Sequence, residues 1–356
     1  MVAAIPSSVA AVLHGKHDLR IEPRPQLLPP PGHAQVRIMA TTLCGSDCTF
    51  DPYSLFPVTD PHSPPSRPLV HYYLSGANGT FALQHSMCLG HEAAGIITAL
   101  GPDAPSHLQI GTRVAIECGI PCSEDTCARC SEGRYNLCPE MRFCSSAKTA
   151  PHLDGTLQTF MNHPYKWLHA LPQRITYEQA ALAEPLGVVL HASRRAAFTA
   201  GSSVLVLGAG AVGLLACALA RAQGAAHVVC VDVNQARLEF AVRAGFVDHT
   251  LNTAAPAFTT PTPTAKVSTP RNPAHNKQKL PFQDDMDRSK SIADRILALS
   301  PLDQTVGGFD VVFECTGAES CIQTAIYVRL FSFLFPHPPS PSPSRNLIPI
   351  PSPPDP

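Results

Sequence analysis

No surplus of either charge runs through this chain: 26 Lys and Arg stand against 27 Asp and Glu, a net charge of −1 at pH 7. Without a field of one sign there is nothing to gather a polyanion, which argues against nucleic acid and anionic membrane surfaces as partners and in favour of a small molecule. Apolar runs of the roughly 20 residues needed to cross a bilayer are absent, so no membrane span is expected. Met1-Val2-Ala3-Ala4-Ile5-Pro6 lacks the basic stretch and apolar core of an export signal, and a cytoplasmic location is expected.

Proline and cysteine, by contrast, are plentiful. The 37 prolines in 356 residues are about twice the usual share of roughly 5%. They crowd into 52–68, 256–273 and 336–356 beside Ser and Thr, and segments of that composition form no packed core. Thirteen cysteines in a chain this long, with no export signal, point to metal ligation ahead of a disulfide framework. The length sets a prior of about two domains.

Residues 9–42 alternate as β-structure, with Ala10–Leu13 and Gln35–Ala40 as strands around the Pro-Pro-Gly turn at 30–32, and Arg113–Glu117 continues the β-character. A helix is expected from Thr176, a capping residue, through Ala183. Then the pattern changes class. Ser203–Leu207 is a continuous apolar run, as a parallel strand covered on both faces requires. Gly208-Ala209-Gly210-Ala211-Val212-Gly213 follows and opens a helix over Leu214–Gln223, and His227–Asp232 is a second strand ending in an acid. A G-x-G-x-x-G between strand and helix, with an acid 19 residues beyond Gly213, reads as a dinucleotide cradle. The glycines admit a pyrophosphate to the helix N-terminus and Asp232 accepts ribose hydroxyls, which favours NAD over NADP although Arg237 lies close by. Gly208, Gly210, Val212, Gly213, Asp232 and Arg237 are the cofactor-binding candidates. Phe309–Glu314 extends the same sheet after a polar insert over 253–290.

Two groups of residues suit metal. Leu89-Gly90-His91-Glu92-Ala93-Ala94-Gly95 sets an imidazole beside a carboxylate, and Cys44-Gly45-Ser46-Asp47 lies upstream. Gly-His-Glu by itself is the commoner mark of a turn with a hydrogen-bonded histidine; thiolate, imidazole and carboxylate together suit a zinc ion with one open, catalytic position. Cys122, Cys127, Cys130 and Cys138, in C-x4-C-x2-C-x7-C, suit a closed structural zinc, with free buried thiols as the plainer alternative. Arg129 and Arg134 against Glu124, Asp125, Glu132 and Glu140 give the wrong sign for a nucleic-acid finger. Cys118 and Cys144 flank the four as bystanders.

On these residues the chain resembles the zinc-containing medium-chain alcohol dehydrogenases and, within them, the sorbitol and xylitol (polyol) dehydrogenases, over about 10–47, 70–252 and 307–327. Cys-Gly-Ser-Asp, His71-Tyr72-Tyr73 and Glu184-Pro185-Leu186 followed by His191-Ala192 carry the polyol branch. The resemblance implies an α/β chain: a β-rich GroES-like catalytic domain over 1–185 with a Pro-rich insert at 48–69, then a Rossmann domain over 186–327 with an incomplete sheet. It implies Cys44, His91 and Glu92 as catalytic zinc ligands, Glu184 as a ligand or the holder of the metal's water, Tyr72 beside the substrate and Ser46 as the outward path for the hydroxyl proton. The activity implied is NAD-dependent oxidation of a secondary alcohol of a polyol to a ketose, in a homo-oligomer; the alternatives are a threonine- or simple-alcohol-type zinc dehydrogenase, or a truncated non-catalytic dinucleotide and zinc binder. Family members continue after Tyr327 with a Gly-Gly turn and another strand. Here Val328–Phe331 leads into Pro-Ser repeats, so 328–356 is expected as a disordered tail and, with 48–69 and part of 253–290, as translated non-coding sequence or a truncated gene product.

Overall fold

The structure, a computed structural model, describes residues 8–47, 72–254, 281–299 and 308–334. The proline-rich segments, His71 and the insert at 48–69 lie outside them. The chain divides between Gly187 and Val188 into two units.

In the first unit, β1 (Ser8–Gly15) pairs antiparallel with β2 (Asp18–Arg24) and, on its other side, with Met87–Cys88. The hairpin partner of β1 is thus Asp18–Arg24, whose exposed Leu19 and Ile21 obscure the two-residue alternation. The Pro-Pro-Gly at 30–32 instead leads into β3 (His33–Thr42). With β4 (Glu92–Leu100), β5 (Arg113–Ile116), β6 (Phe160–Pro164) and β7 (Leu168–Ala170) this strand forms a second sheet in the order β6-β3-β4-β5-β7. Val36, Ala93, Ile97, Val114 and Ile116 project into one core. β3 and β4 approach so closely that a Cβ on Gly95 would lie 2.3 Å from the Arg37 carbonyl oxygen, so only glycine fits there.

Helix α1 (Tyr177–Ala181) begins where expected. Its cap is a reciprocal box in which Thr176 accepts from the Gln179 amide and the Gln179 side chain returns to the Thr176 amide. α2 (Ala183–Arg195) follows and carries Glu184 in its first turn.

The second unit is a parallel sheet. β8 (Ser203–Leu207) lies between β9 (His227–Asp232) and β11 (Val311–Glu314), with β10 (His249–Asn252) beyond β9. Val204 and Val206 face α3 (Ala211–Ala222) and α4 (Gln235–Arg243), whereas Leu205 and Leu207 face α5 (Pro281–Leu299) and α6 (Glu319–Leu334). Burial on both faces explains why the run is apolar without alternation. Two expectations are corrected here. Residues 281–290 belong to a helix, because Ser289, Ala293 and Ile296 recur at helical spacing and are buried at 1% exposure or less. Residues 328–334, expected in the tail, continue α6, and Val328 is fully buried in the core. Among the described residues β11 is an edge strand of this sheet.

His163, on β6, is 1% exposed, and its Nε2 lies 3.0 Å from the Glu117 carbonyl oxygen. Burial brings its pKa down to about 4. The folded chain therefore holds His163 neutral while the unfolded chain takes up a proton below 6.5, so its contribution is present above pH 6.5 and is lost as the pH falls towards 4. Urea unfolding at pH 7 and pH 5 should show a loss of about 2 kcal/mol from this residue. His163→Gln should lack that loss; the comparison of the two proteins separates it from His169, whose pKa is raised by Glu117 and acts with the opposite sign.

Candidate functional site

Cys44, two residues past the end of β3 and just before a turn, and His91 and Glu92, at the start of β4, are brought together: one ligand atom from each lies within 4.8 Å of the others. His91 and Glu92 are each 6% exposed. The His91 ring is held from several sides. Phe143 packs against it with ring centroids 5.3 Å apart. Nδ1 lies 3.6 Å from Asp47 Oδ2, an ion-pair distance beyond hydrogen-bond reach, and has no hydrogen-bond partner among the described residues. With Nδ1 turned to Asp47, Nε2 is the nitrogen left for a metal, the arrangement of a carboxylate–histidine–zinc set.

Asp47 closes the Cys-Gly-Ser-Asp motif, whose pattern alone gives it no role. It is fully buried, and its carboxylate accepts from Ser145 Oγ (2.7 Å), the Gly90 amide (3.1 Å) and the Cys44 amide (3.3 Å). Burial pushes its pKa up, but His91 and these donors outweigh burial and hold it below the usual carboxylate range. An acid three places after a thiol ligand was the signal available. Burial likewise works to strip a proton from His91, but Asp47 and Cys44 overcome it and push the imidazole up to about 11. The surroundings therefore favour positive charge, which a divalent cation supplies.

Glu184 lies outside the close trio but within its field. Burial raises its pKa, Glu92 and Asp47 add to the rise, and His91 opposes it. Ser46 is half-buried between Cys44 and Asp47. Tyr72 is placed in the core: it is 1% exposed among Leu13, Met87, Leu89 and Ala147, and its hydroxyl oxygen accepts from the Ala147 amide at 2.8 Å. The residue expected beside the substrate is thus an enclosed one.

The four cysteines of the second group also lie within 4.8 Å of one another by their sulfurs. Sulfur–sulfur distances of 3.5 Å (Cys138–Cys122), 3.7 Å (Cys122–Cys130) and 4.0 Å (Cys127–Cys138) bracket the edge of about 3.8 Å that a zinc–sulfur bond of about 2.3 Å gives a tetrahedron. They are far from the roughly 2.05 Å of a disulfide. The Cys130 amide, aimed at the Cys127 sulfur, brings that thiol down to about 7. The Glu124 amide favours a thiolate at Cys122, but burial and the neighbouring sulfurs outweigh it and push Cys122 up to about 12. Cys118 and Cys144 are buried at 1% and 0% exposure; the hydrogen bond between them and burial hold the Cys118 thiol protonated, as suits bystanders.

In the second unit Gly208–Gly213 lies at the carboxyl end of β8, and strand order reverses between β8 and β11, the place where open α/β sheets bind ligands. A Cβ on Gly213 would lie 1.8 Å from the Gly208 carbonyl oxygen, whereas a Cβ on Gly210 would meet nothing within 4 Å. The first glycine contact closes the turn and the second leaves room at the N-terminus of α3, where Gly210 offers no side-chain cap and Val212 is 38% exposed. That is a cradle shaped for a pyrophosphate. The Asp232 carboxylate accepts from the Ala209 amide (2.6 Å) and the Asn234 amide (2.7 Å), which fixes its direction while each oxygen keeps a further lone pair. Arg237 is exposed on the first turn of α4.

Residues 30–173 match the alcohol dehydrogenase GroES-like domain, and residues 211–267 match the zinc-binding dehydrogenase family. The chain is 38% identical over 323 residues to a protein named "Probable D-xylulose reductase A" from Aspergillus terreus, covering 90% of this chain and 73% of that one. It is 33% identical over 326 residues to the sorbitol dehydrogenase of Gallus gallus, covering 92% and 73%. The crystal structure of L-idonate 5-dehydrogenase from Escherichia coli superimposes with a TM-score of 0.63 at 25% identity, over 90% of this chain and 73% of that one. No helix among the described residues is long and apolar enough to cross a membrane. A GroES-like unit holding two zinc-type donor sets, followed by a dinucleotide cradle, agrees with these relatives along nine-tenths of the chain, and this protein belongs to the zinc-containing medium-chain alcohol dehydrogenases.

Proposed function

We propose that this protein oxidises a secondary alcohol of a polyol of the sorbitol or xylitol type to the ketose, with NAD as hydride acceptor, in the cytoplasm and as a homo-oligomer. The observation that carries the reading is the convergence of Cys44, His91 and Glu92 on one point, buried beside a charged Asp47. The relatives named for D-xylulose reductase and sorbitol dehydrogenase support the substrate class.

Bound zinc supplies a Lewis acid that makes the alcohol proton easy to lose, and NAD supplies the place for the hydride. The residues do the rest. Cys44, His91 and Glu92 hold the ion, and Asp47 fixes the His91 ring so that one nitrogen faces it. Ser46, half-buried beside the trio, carries the hydroxyl proton outward. Glu184, whose burial makes it the easier carboxylate to protonate, holds water beside the trio as the fourth polar group. Tyr72, its oxygen occupied by the Ala147 amide, still has a proton to donate and bounds the substrate side from the enclosed position. In the second unit Gly208, Gly210, Val212 and Gly213 receive the pyrophosphate and Asp232 the ribose hydroxyls, with Arg237 at the rim. Cys122, Cys127, Cys130 and Cys138 hold a structural zinc.

Purified protein should reduce NAD with xylitol or sorbitol; turnover confined to threonine or simple alcohols, or NADH binding without any turnover, would overturn the proposal. His91→Ala should lower the zinc content from one ion per donor cluster to the four-cysteine ion alone and slow turnover by roughly 1,000-fold, about 4 kcal/mol of barrier. Asp232→Asn should weaken NADH binding roughly 10- to 100-fold, the worth of a charge-assisted hydrogen bond, as read by NADH fluorescence. Zinc uptake at the four cysteines must expel the protons of Cys122 and Cys130, so affinity should rise with pH from 7 upward; calorimetry in buffers of different ionisation enthalpy measures the released protons.

A further inference from the structure

We propose that Thr42 is a positioning residue for the zinc ligand Glu92, holding one carboxylate oxygen so that the other is presented to the ion; the inference rests on the proposed zinc site. Its hydroxyl donates to Glu92 Oε2. The contact follows from the register of the sheet. β3 pairs with β4 through Ile38↔Gly95 and then Ala40↔Ala94, so Met39 is an extra residue on β3. Without that bulge, regular antiparallel pairing would set Thr42 opposite His91; with it, Thr42 stands opposite Glu92.

The neighbouring hydroxyl cannot substitute. Successive side chains on a strand point to opposite faces, and the Thr41 hydroxyl lies 2.8 Å from Thr156 Oγ1. Glu184 gives Glu92 no anchor, because the two neighbouring carboxylates repel each other. A carboxylate without the Thr42 donor could turn its plane and meet the ion with either oxygen or with both. The Thr42 donor fixes the carboxylate plane and weakens Oε2 as an electron-pair donor, so Oε1 is the stronger oxygen for the cation and the ligand enters through a single atom.

The test uses the full chain with Thr42→Val, which keeps the branched shape and removes the hydroxyl, and Thr42→Ser, which restores it. Zinc retention is measured by competition with a chromogenic chelator, and the cage is also loaded with cobalt for its visible absorption. Thr42→Val should release the cage ion about 10- to 100-fold more readily while the four-cysteine ion is unchanged, and Thr42→Ser should return to within about threefold of the parent. The cobalt bands should shift in Thr42→Val and not in Thr42→Ser. A Thr42→Val protein that retains zinc like the parent with unaltered bands would overturn the proposal, and so would a Thr42→Ser protein as impaired as Thr42→Val. Should Thr42→Val fail to fold, Thr42→Ser still decides: parent-like retention and bands support the role and loss of the cage ion overturns it. If the parent chain itself binds only the four-cysteine ion, the zinc-site reading fails, and this inference with it, a result distinct from any difference between parent and variant.

Discussion

The pairing of β3 against β4 is the constraint from which the cage of Cys44, His91 and Glu92 follows. Cys44 and His91 are 47 positions apart, and nothing local draws them together. They meet because one follows the end of β3 and the other precedes the start of β4, and because the two strands close to a distance that only Gly95 permits. The bulge at Met39 then decides which side chains face each other at the mouth. A cage assembled in this way inherits its precision from the sheet, whose core of Val36, Ala93, Ile97 and Val114 is apolar and indifferent to any ion.

The four-cysteine lobe is built on the opposite plan. Its ligands lie within residues 122–138, and its short helix Ala128–Ser131 buries no residue. A segment without an apolar core has little besides its sulfurs to order it, so metal binding and local folding are the same event there. Tyr135 ties the lobe to the ends of β5 and β7: its hydroxyl donates to Glu117 at 2.8 Å and its ring packs 5.0 Å from Trp167. The two centres thus differ in dependence, one formed by the sheet and the other forming its own loop.

This difference also explains what could be read from the sequence. The four-cysteine spacing and the Gly208–Gly213 turn are local patterns, and both appear in the structure with the geometry their spacing implies. Cys44 with His91 and Glu92 was legible through family resemblance, since no periodicity relates them. Asp47 and Thr42 gained no role from sequence because theirs depends on register and burial, which only the assembled sheet supplies. The helix over Pro281–Leu299 was hidden for another reason: its first turns are rich in Asp, Arg and Lys, and the charge pattern masks the buried stripe of Ser289, Ala293 and Ile296. Val328 was assigned to the tail because the proline run just beyond it outweighed a helical stripe ending there.

Charge in the cage sets the division of labour among its acids. Asp47 and Glu92 are buried, and Glu184 half-buried, around a single imidazole, and buried charge that lacks a partner costs several kcal/mol per ion. The fold answers in two ways. Asp47 collects three hydrogen-bond donors and keeps its charge, and His91 is driven towards its cationic form beside it. Among the described residues Glu184 has no such donors, and burial together with its acidic neighbours shifts it towards the protonated form. A divalent ion adds positive charge where His91 otherwise carries its proton, so Asp47 can serve as a fixed anion that orients a ligand. Glu184, shifted the other way, is the acid of the group that burial makes easier to protonate. Environments that push two carboxylates apart assign them different tasks: Asp47 is suited to holding geometry and Glu184 to holding a proton or a water.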